Sequence, residues 1–119
     1  MTKRLSLHTR TTPAGPVIEL VGELDHHTAP EIRAALPALS LNPGQQLVLD
    51  LGTLTFCDST GITVLIAARN HALAAEASIV LAAVPDRVSR IFRIVGLEQV
   101  FLIYLTAQDA EAAWRPTAG

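Results

Sequence analysis

The sequence predicts an α/β fold: a mostly parallel mixed sheet with an opening hairpin and about four helices, in the order ββαβαβαβα. Three observations carry that expectation. Nearly continuous aliphatic runs such as "QLVLDLG" and "SIVLAAV" have the composition of strands buried on both faces. Other stretches place apolar residues at i, i+3, i+4 and i+7, the spacing of helices that pack on one side. Half of the residues are hydrophobic but only 4 % are aromatic, so Ala, Leu, Ile and Val must fill the interior, as in helix-covered sheets. A length of 119 residues fits one domain, taken as 1–119, large enough to close a core without metal or disulfide staples.

Each element has its own signal. Residues 3–10, "KRLSLHTR", put Leu5 and Leu7 on one face of a half-buried strand. Pro13, Gly15 and Pro16 interrupt it, and "VIELVGEL" over 17–24 is its antiparallel partner. Thr28 and Glu31 have capping-box spacing around Pro30, which opens a helix with Ile32, Ala35, Leu36 and Leu39 inward, shortened or kinked by Pro37. After the turn "NPG" at 42–44, residues 46–52 read as a central strand. A helix from Ser59 to about Ala75 turns Gly61, Val64, Leu65, Ala68 and Ala72 inward. Residues 78–84 form a buried strand, and Pro85 with Asp86 opens a helix with Val88, Ile91, Phe92 and Val95 on its stripe, ended by Gly96. Residues 100–105 are the last strand. Thr106 with Asp109 caps a final helix running to Trp114, which is expected to cover the edge of the core.

Composition limits the function classes. A formal charge of −2 offers no positive field for a phosphate backbone, so nucleic acid is not an expected partner. No apolar run approaches the roughly 20 residues that span a bilayer. "LSLHTR" after the basic "MTKR" alternates instead of forming an apolar core, so neither a signal peptide nor a membrane partner is expected. Cys57 is the single cysteine, which suits a reducing, cytoplasmic setting.

One cluster stands out. Cys57, Asp58, Ser59 and Thr60 lie in a row before Gly61, where a buried strand hands over to a helix. In parallel sheets such junctions expose the free N–H groups and positive dipole end of the helix, and binding groups collect there. The plainest reading is that Asp58 or Ser59 caps the helix. A cap needs one such residue, though, and three are present. An exposed hydroxyl at a helix end that tolerates negative charge also describes a phosphorylation site.

"TFCDSTGITVLIAARNHA", "VGELDHHTAPEIRAAL" and "IFRIVGLEQVFLIYLTAQDAEAAW" together resemble the STAS-domain anti-sigma factor antagonists of bacteria over essentially the whole chain. In that family a buried strand is followed by D-S-[ST]-G and an apolar helix, and the Ser after the Asp is phosphorylated by a partner that is both anti-sigma factor and serine kinase. The resemblance implies that Ser59 is the acceptor. It also implies that Asp58, Ser59 and Thr60, with Asp25 and Thr28 in the loop "GELDHHTA" beside them, contact that partner. Cys57 stands where the family often has Met or a small residue. The unmodified protein would hold the anti-sigma factor and free a sigma factor for transcription; a serine phosphatase would reset the switch. A scaffold subunit of a signalling or transport assembly, without sigma-factor switching, is the alternative that shares the fold.

Catalysis is less well supported. Ser59, His26 or His27, and Asp25 or Asp58 supply the residue types of a hydrolase triad, but G-x-S-x-G is missing. His26, His27 and Cys57 lack metal-ligand spacing, and adjacent histidines are expected to point apart. No phosphate-cradling glycine motif is present, so no cofactor is expected and ATP belongs to the partner. Arg87, Arg90 and Arg93 read as one solvated face. Cys57, at a helix start, could be a redox thiol but reads more simply as a small buried hydrophobe.

Overall fold

The computed structural model describes residues 4–115. Lys3, the first residue of the predicted opening strand, lies outside them, as does most of the basic start. Strands β1 (Leu5–Thr12) and β2 (Gly15–Leu24) form the antiparallel hairpin, with Leu5 opposite Gly22 and Thr12 opposite Gly15. They are followed by α1 (Ala29–Ala35), β3 (Gln46–Cys57), α2 (Ser59–Ala74), β4 (Ser78–Ala82), α3 (Asp86–Val95), β5 (Leu102–Tyr104) and α4 (Ala107–Ala113). Pro37 has the expected effect: α1 tightens into a 3-10 turn over Leu36–Ala38.

The sheet runs β1-β2-β3-β4-β5, parallel from β2 onward. Its alternating side chains build two cores. Leu47, Leu49 and Leu51 of β3 join Ile32, Val64, Leu65, Val88 and Phe92 beneath α1, α2 and α3. Val48 points the other way, to Val17, Val80, Ala107 and Ala110 beneath α4. Helices therefore cover both faces, unequally.

All five strands differ from expectation at a boundary. β1 runs on to Thr12 and β2 already starts at Gly15, so Gly15 and Pro16 are paired strand residues and not part of the interruption. Strand β3 continues five residues beyond Gly52, to Cys57. Its pairing with β4 ends at Asp50, and the remainder runs alongside β2 alone, where Thr53 and Thr55 donate to the carbonyls of Leu20 and Gly22 at 3.3 and 3.0 Å. β4 stops at Ala82, where Ala83 enters the left-handed region at φ 57°. β5 keeps only three residues, because Val100 and Phe101 donate back to Leu97 and finish a 3-10 turn. With so short an edge strand, the last turn of α3 has nothing to pack on: Val88 and Phe92 are buried, but Val95, expected on the buried stripe, is exposed. Gly96 ends that helix at φ 79° as anticipated. Trp114 is half-buried just past α4, and its Nε1 donates to the Gly44 carbonyl at 3.2 Å, tying the helix end to the turn before β3.

Candidate functional site

The extension of β3 builds the site. Its last residue, Cys57, pairs with Leu24 at the end of β2, so both chains leave the sheet side by side. Beyond Leu24 comes the turn 25–28; beyond Cys57 comes the start of α2. The Asp58 amide donates to the Leu24 carbonyl at 3.3 Å. Helix α2 sits hard against both strand ends at Gly61, where a Cβ would lie 2.6 Å from the Leu24 carbonyl oxygen and 2.8 Å from the Cys57 sulfur. Only glycine allows that approach.

Asp58 is the N-cap of α2. Its backbone is extended, and its Oδ1 accepts from the Gly61 amide at 2.9 Å, satisfying one of the orphan donors of the first turn. Ser59 follows as the first helical residue and is exposed; Thr60 is half-buried. Thr63 donates to the Ser59 carbonyl at 3.1 Å, further fixing that turn. Cys57 is buried, and its thiol is pushed up to about 12, first by burial and then by the neighbouring Asp58 charge. It is a packed thiol, not a thiolate.

The turn 25–28 closes on itself. Asp25 Oδ1 accepts from the amides of His27 and Thr28 at 2.9 and 3.1 Å, and the Asp25 carbonyl accepts from Ala29 at 2.8 Å. Thr28 Oγ1 accepts from the Asp25 amide at 3.0 Å and donates to the Glu23 carbonyl at 2.8 Å. The capping box anticipated from Thr28 and Glu31 therefore does not form. Thr28 occupies the N-cap position but makes no side-chain cap bond, and Glu31 is exposed. The hydroxyl is engaged instead by the buried Asp25 amide and the part-buried Glu23 carbonyl, and Asp25 supplies acceptors to the start of α1. Burial pushes the Asp25 carboxyl up, but the amides of Thr28 and His27, with the charges of Arg4 and His27, outweigh it and hold the group below its ordinary 3.8.

The structure thus brings Asp25, Thr28, Asp58, Ser59 and Thr60 to one end of the sheet, in different settings. Asp25 and Thr28 are only 8 % and 3 % exposed, so their contribution is the shape of the turn. Its exposed surface comes from His26 and His27. Their rings do not point apart, because the turn folds the backbone back and sets the centroids 3.9 Å from each other. A cavity of about 250 Å³ opens between the end of β3 and α3, lined by Thr55, Phe56, Cys57, Arg87, Val88 and Ile91. Phe56 is an exposed aromatic beside the cluster that the sequence reading passed over; its position next to Cys57 was the available signal. Arg87, Arg90 and Arg93 are all exposed, with Arg93 3.5 Å from Glu98. Among the described residues, no group of three or more His, Cys, Asp or Glu is arranged to hold a metal, and no helix is long and apolar enough to cross a membrane.

Comparison with known proteins agrees with this architecture. The family model described as "Mlab, STAS domain" matches residues 7–105. An anti-sigma-B factor antagonist of Listeria monocytogenes is 34% identical over 86 residues, 72% of this chain and 75% of the relative. A STAS-domain containing protein of Pseudomonas aeruginosa is 31% identical over 86 residues, 72% of this chain and 84% of that protein. Among solved structures, an anti-sigma factor antagonist from Mycobacterium paratuberculosis superposes with a TM-score of 0.77 at 28% identity, covering 93% of this chain and 94% of that one. With a family match across most of its length and a sheet, helix order and superposition that agree with it, this chain belongs to the STAS-domain family.

Proposed function

We propose that this protein is an anti-sigma factor antagonist whose unmodified form binds an anti-sigma factor with serine kinase activity, so freeing a sigma factor, and whose switch is phosphorylation of Ser59. The observation that carries the reading is the setting of Ser59: an exposed hydroxyl on the first residue of α2, held by the Asp58 cap and the Gly61 contact on a rigid sheet end. The names of the relatives support the partner class.

On this reading the chain is a binding module, cytoplasmic, and not an enzyme. ATP is held by the kinase; the Ser59 oxygen attacks its γ-phosphorus, ADP leaves, and the hydroxyl proton passes to a base of the kinase. A serine phosphatase restores the hydroxyl. The contact surface includes Ser59, Thr60 and Asp58, with Asp25 and Thr28 acting through the shape they give the His26–His27 turn. Phosphate adds about −1.5 to −2 charges. Charge mismatch at an interface costs several kcal/mol, close to the roughly 5.5 kcal/mol that takes an equilibrium from 99:1 to 1:99. Repulsion plus lost contacts is therefore nearly sufficient without a change of fold.

Calorimetric titration of an anti-sigma factor with the unmodified and the Ser59-phosphorylated protein tests this. The modified form is expected to bind at least about a hundredfold more weakly, and Ser59→Ala to bind like the unmodified protein while accepting no phosphate. Equal affinity of both forms, or phosphate found by mass spectrometry on Thr60 alone, overturns the assignment.

A further inference from the structure

The cavity between the end of β3 and α3 exists because β4 is short. Pairing of β3 with β4 ends at Asp50, and β4 itself stops at Ala82, so no strand fills the space between residues 55–57 and the first turns of α3. A cavity of about 250 Å³ is left there, lined by Thr55, Phe56, Cys57, Arg87, Val88 and Ile91. An apolar cavity of about 150 Å³ in a protein interior takes up benzene. This one therefore has room for a ring with a short arm.

Its lining sorts by chemistry. Phe56, Val88 and Ile91 are apolar. Cys57 adds a thiol that burial keeps protonated, with its S–H directed to the Asp58 carbonyl at 3.7 Å. Thr55 donates its hydroxyl proton to the Gly22 carbonyl at 3.0 Å. The lining side chain whose donors remain is Arg87. It is exposed, and the ion pairs among the described residues join Arg4 to Glu23, Arg10 to Glu111 and Arg93 to Glu98. A planar guanidinium holds a carboxylate through two parallel hydrogen bonds. Four charges border the site. Glu23, opposite Phe56 on β2, is bound to Arg4. Asp58, beside Cys57, is committed to the Gly61 amide, and Asp86, beside Arg87, lines a separate hollow with Ser89 and Tyr104. Arg90 follows one turn after Arg87. With three carboxylates in its surroundings, the site suits a monoanion better than a dianion.

We propose that this cavity binds a small aryl carboxylate, a monoanion of one ring and an arm of one or two carbons, with the ring against Phe56, Val88 and Ile91 and the carboxylate on the Arg87 guanidinium. Volume sets the size of the ligand and excludes a nucleotide or a long acyl chain. The apolar lining, with Phe56 as an aromatic partner, selects a ring. Arg87 selects an acid over an amine or an alcohol, because the other polar hydrogens of the lining side chains are already engaged. The site adjoins Ser59 through Cys57 and Asp58 but requires neither a phosphate nor a protein partner, so it stands independently of the proposed switch.

Proton–nitrogen correlation spectra of the full chain, titrated with phenylacetate, test this. Saturable shifts are expected at the amides of Phe56, Cys57, Arg87, Val88 and Ile91, with a dissociation constant of about a millimolar or below. Phenylacetamide has the same shape without the charge and is expected to bind about tenfold more weakly or worse. Arg87→Met, at an exposed position, should weaken phenylacetate by a similar factor and leave phenylacetamide unchanged. Ile91→Trp fills the cavity and should abolish binding of both, its spectrum away from α3 reporting that the fold is kept. Shifts that do not saturate, shifts confined to other parts of the chain, equal affinity for acid and amide, or undiminished phenylacetate binding by Arg87→Met overturns the proposal. So do cavity amides that move with an anti-sigma factor and ignore phenylacetate, a result that gives the cavity to the protein partner and leaves the Ser59 reading standing.

Discussion

At the scale of single residues, the site depends most on an atom that is missing. Gly61 lets α2 rest on the ends of β2 and β3, and no relaxation of a flexible side chain can make room for a Cβ there, because its nearest neighbour is the main-chain oxygen of Leu24. Gly61→Ala would gain helix propensity worth about 1 kcal/mol, yet the clash wins, since overpacking of this kind costs about 1–3 kcal/mol and here requires backbone movement. Urea unfolding of the Gly61→Ala protein is expected to show a net loss of about 1–2 kcal/mol, with the accessibility of Ser59 to a kinase altered in step. A variant as stable as the parent would mean that the helix does not rest where it is described. Cys57 completes the same contact: its thiol belongs to the packing beneath the helix, and burial holds it protonated far above neutral pH.

At the scale of elements, the turn between β2 and α1 carries the second half of the site. Thr28 and Asp25 bond to each other and to the main chain of Glu23, His27 and Thr28, so the His26–His27 surface is fixed from beneath. Thr28→Val keeps the shape of the side chain but leaves the buried Asp25 amide and the Glu23 carbonyl without that partner, a loss of about 2–3 kcal/mol in denaturant unfolding. The same turn shows where sequence reading succeeds and fails. The Asp58 cap, helix α2 and the Thr106 cap of α4 were legible because each signal lies within four residues of the bond it makes. Thr28 carried an equally good local signal, and tertiary demand from the end of β2 redirected it. The length of β3 was hidden for a related reason: Gly52, Thr53 and Thr55 are exposed beyond the end of β4, and what holds them extended is their pairing with β2, more than 30 residues earlier. β5 was overextended because its apolar residues read as core, whereas most of them face solvent at an edge.

At the scale of the whole molecule, the question is whether a charge added at Ser59 can leave the fold as it is. The two cores lie beneath the sheet faces, and Ser59 belongs to neither. The phosphate would meet the positive end of a 16-residue helix, a favourable term of about 0.3–1 kcal/mol, opposed by the Asp58 carboxylate one residue away. These terms are small and of opposite sign, so thermal unfolding of the phosphorylated and unmodified proteins is expected to differ by no more than about 4 °C, the shift that roughly 1 kcal/mol produces in a domain of this size. Far-ultraviolet circular dichroism of the two forms should coincide. Phosphorylation would then act on the surface that a partner sees while the sheet beneath stays fixed, which is why affinity for the partner should fall by orders of magnitude while stability hardly moves. A modified protein that melts ten or more degrees lower, or loses helix signal, would instead place the switch in the fold itself, as a partial unfolding of α2.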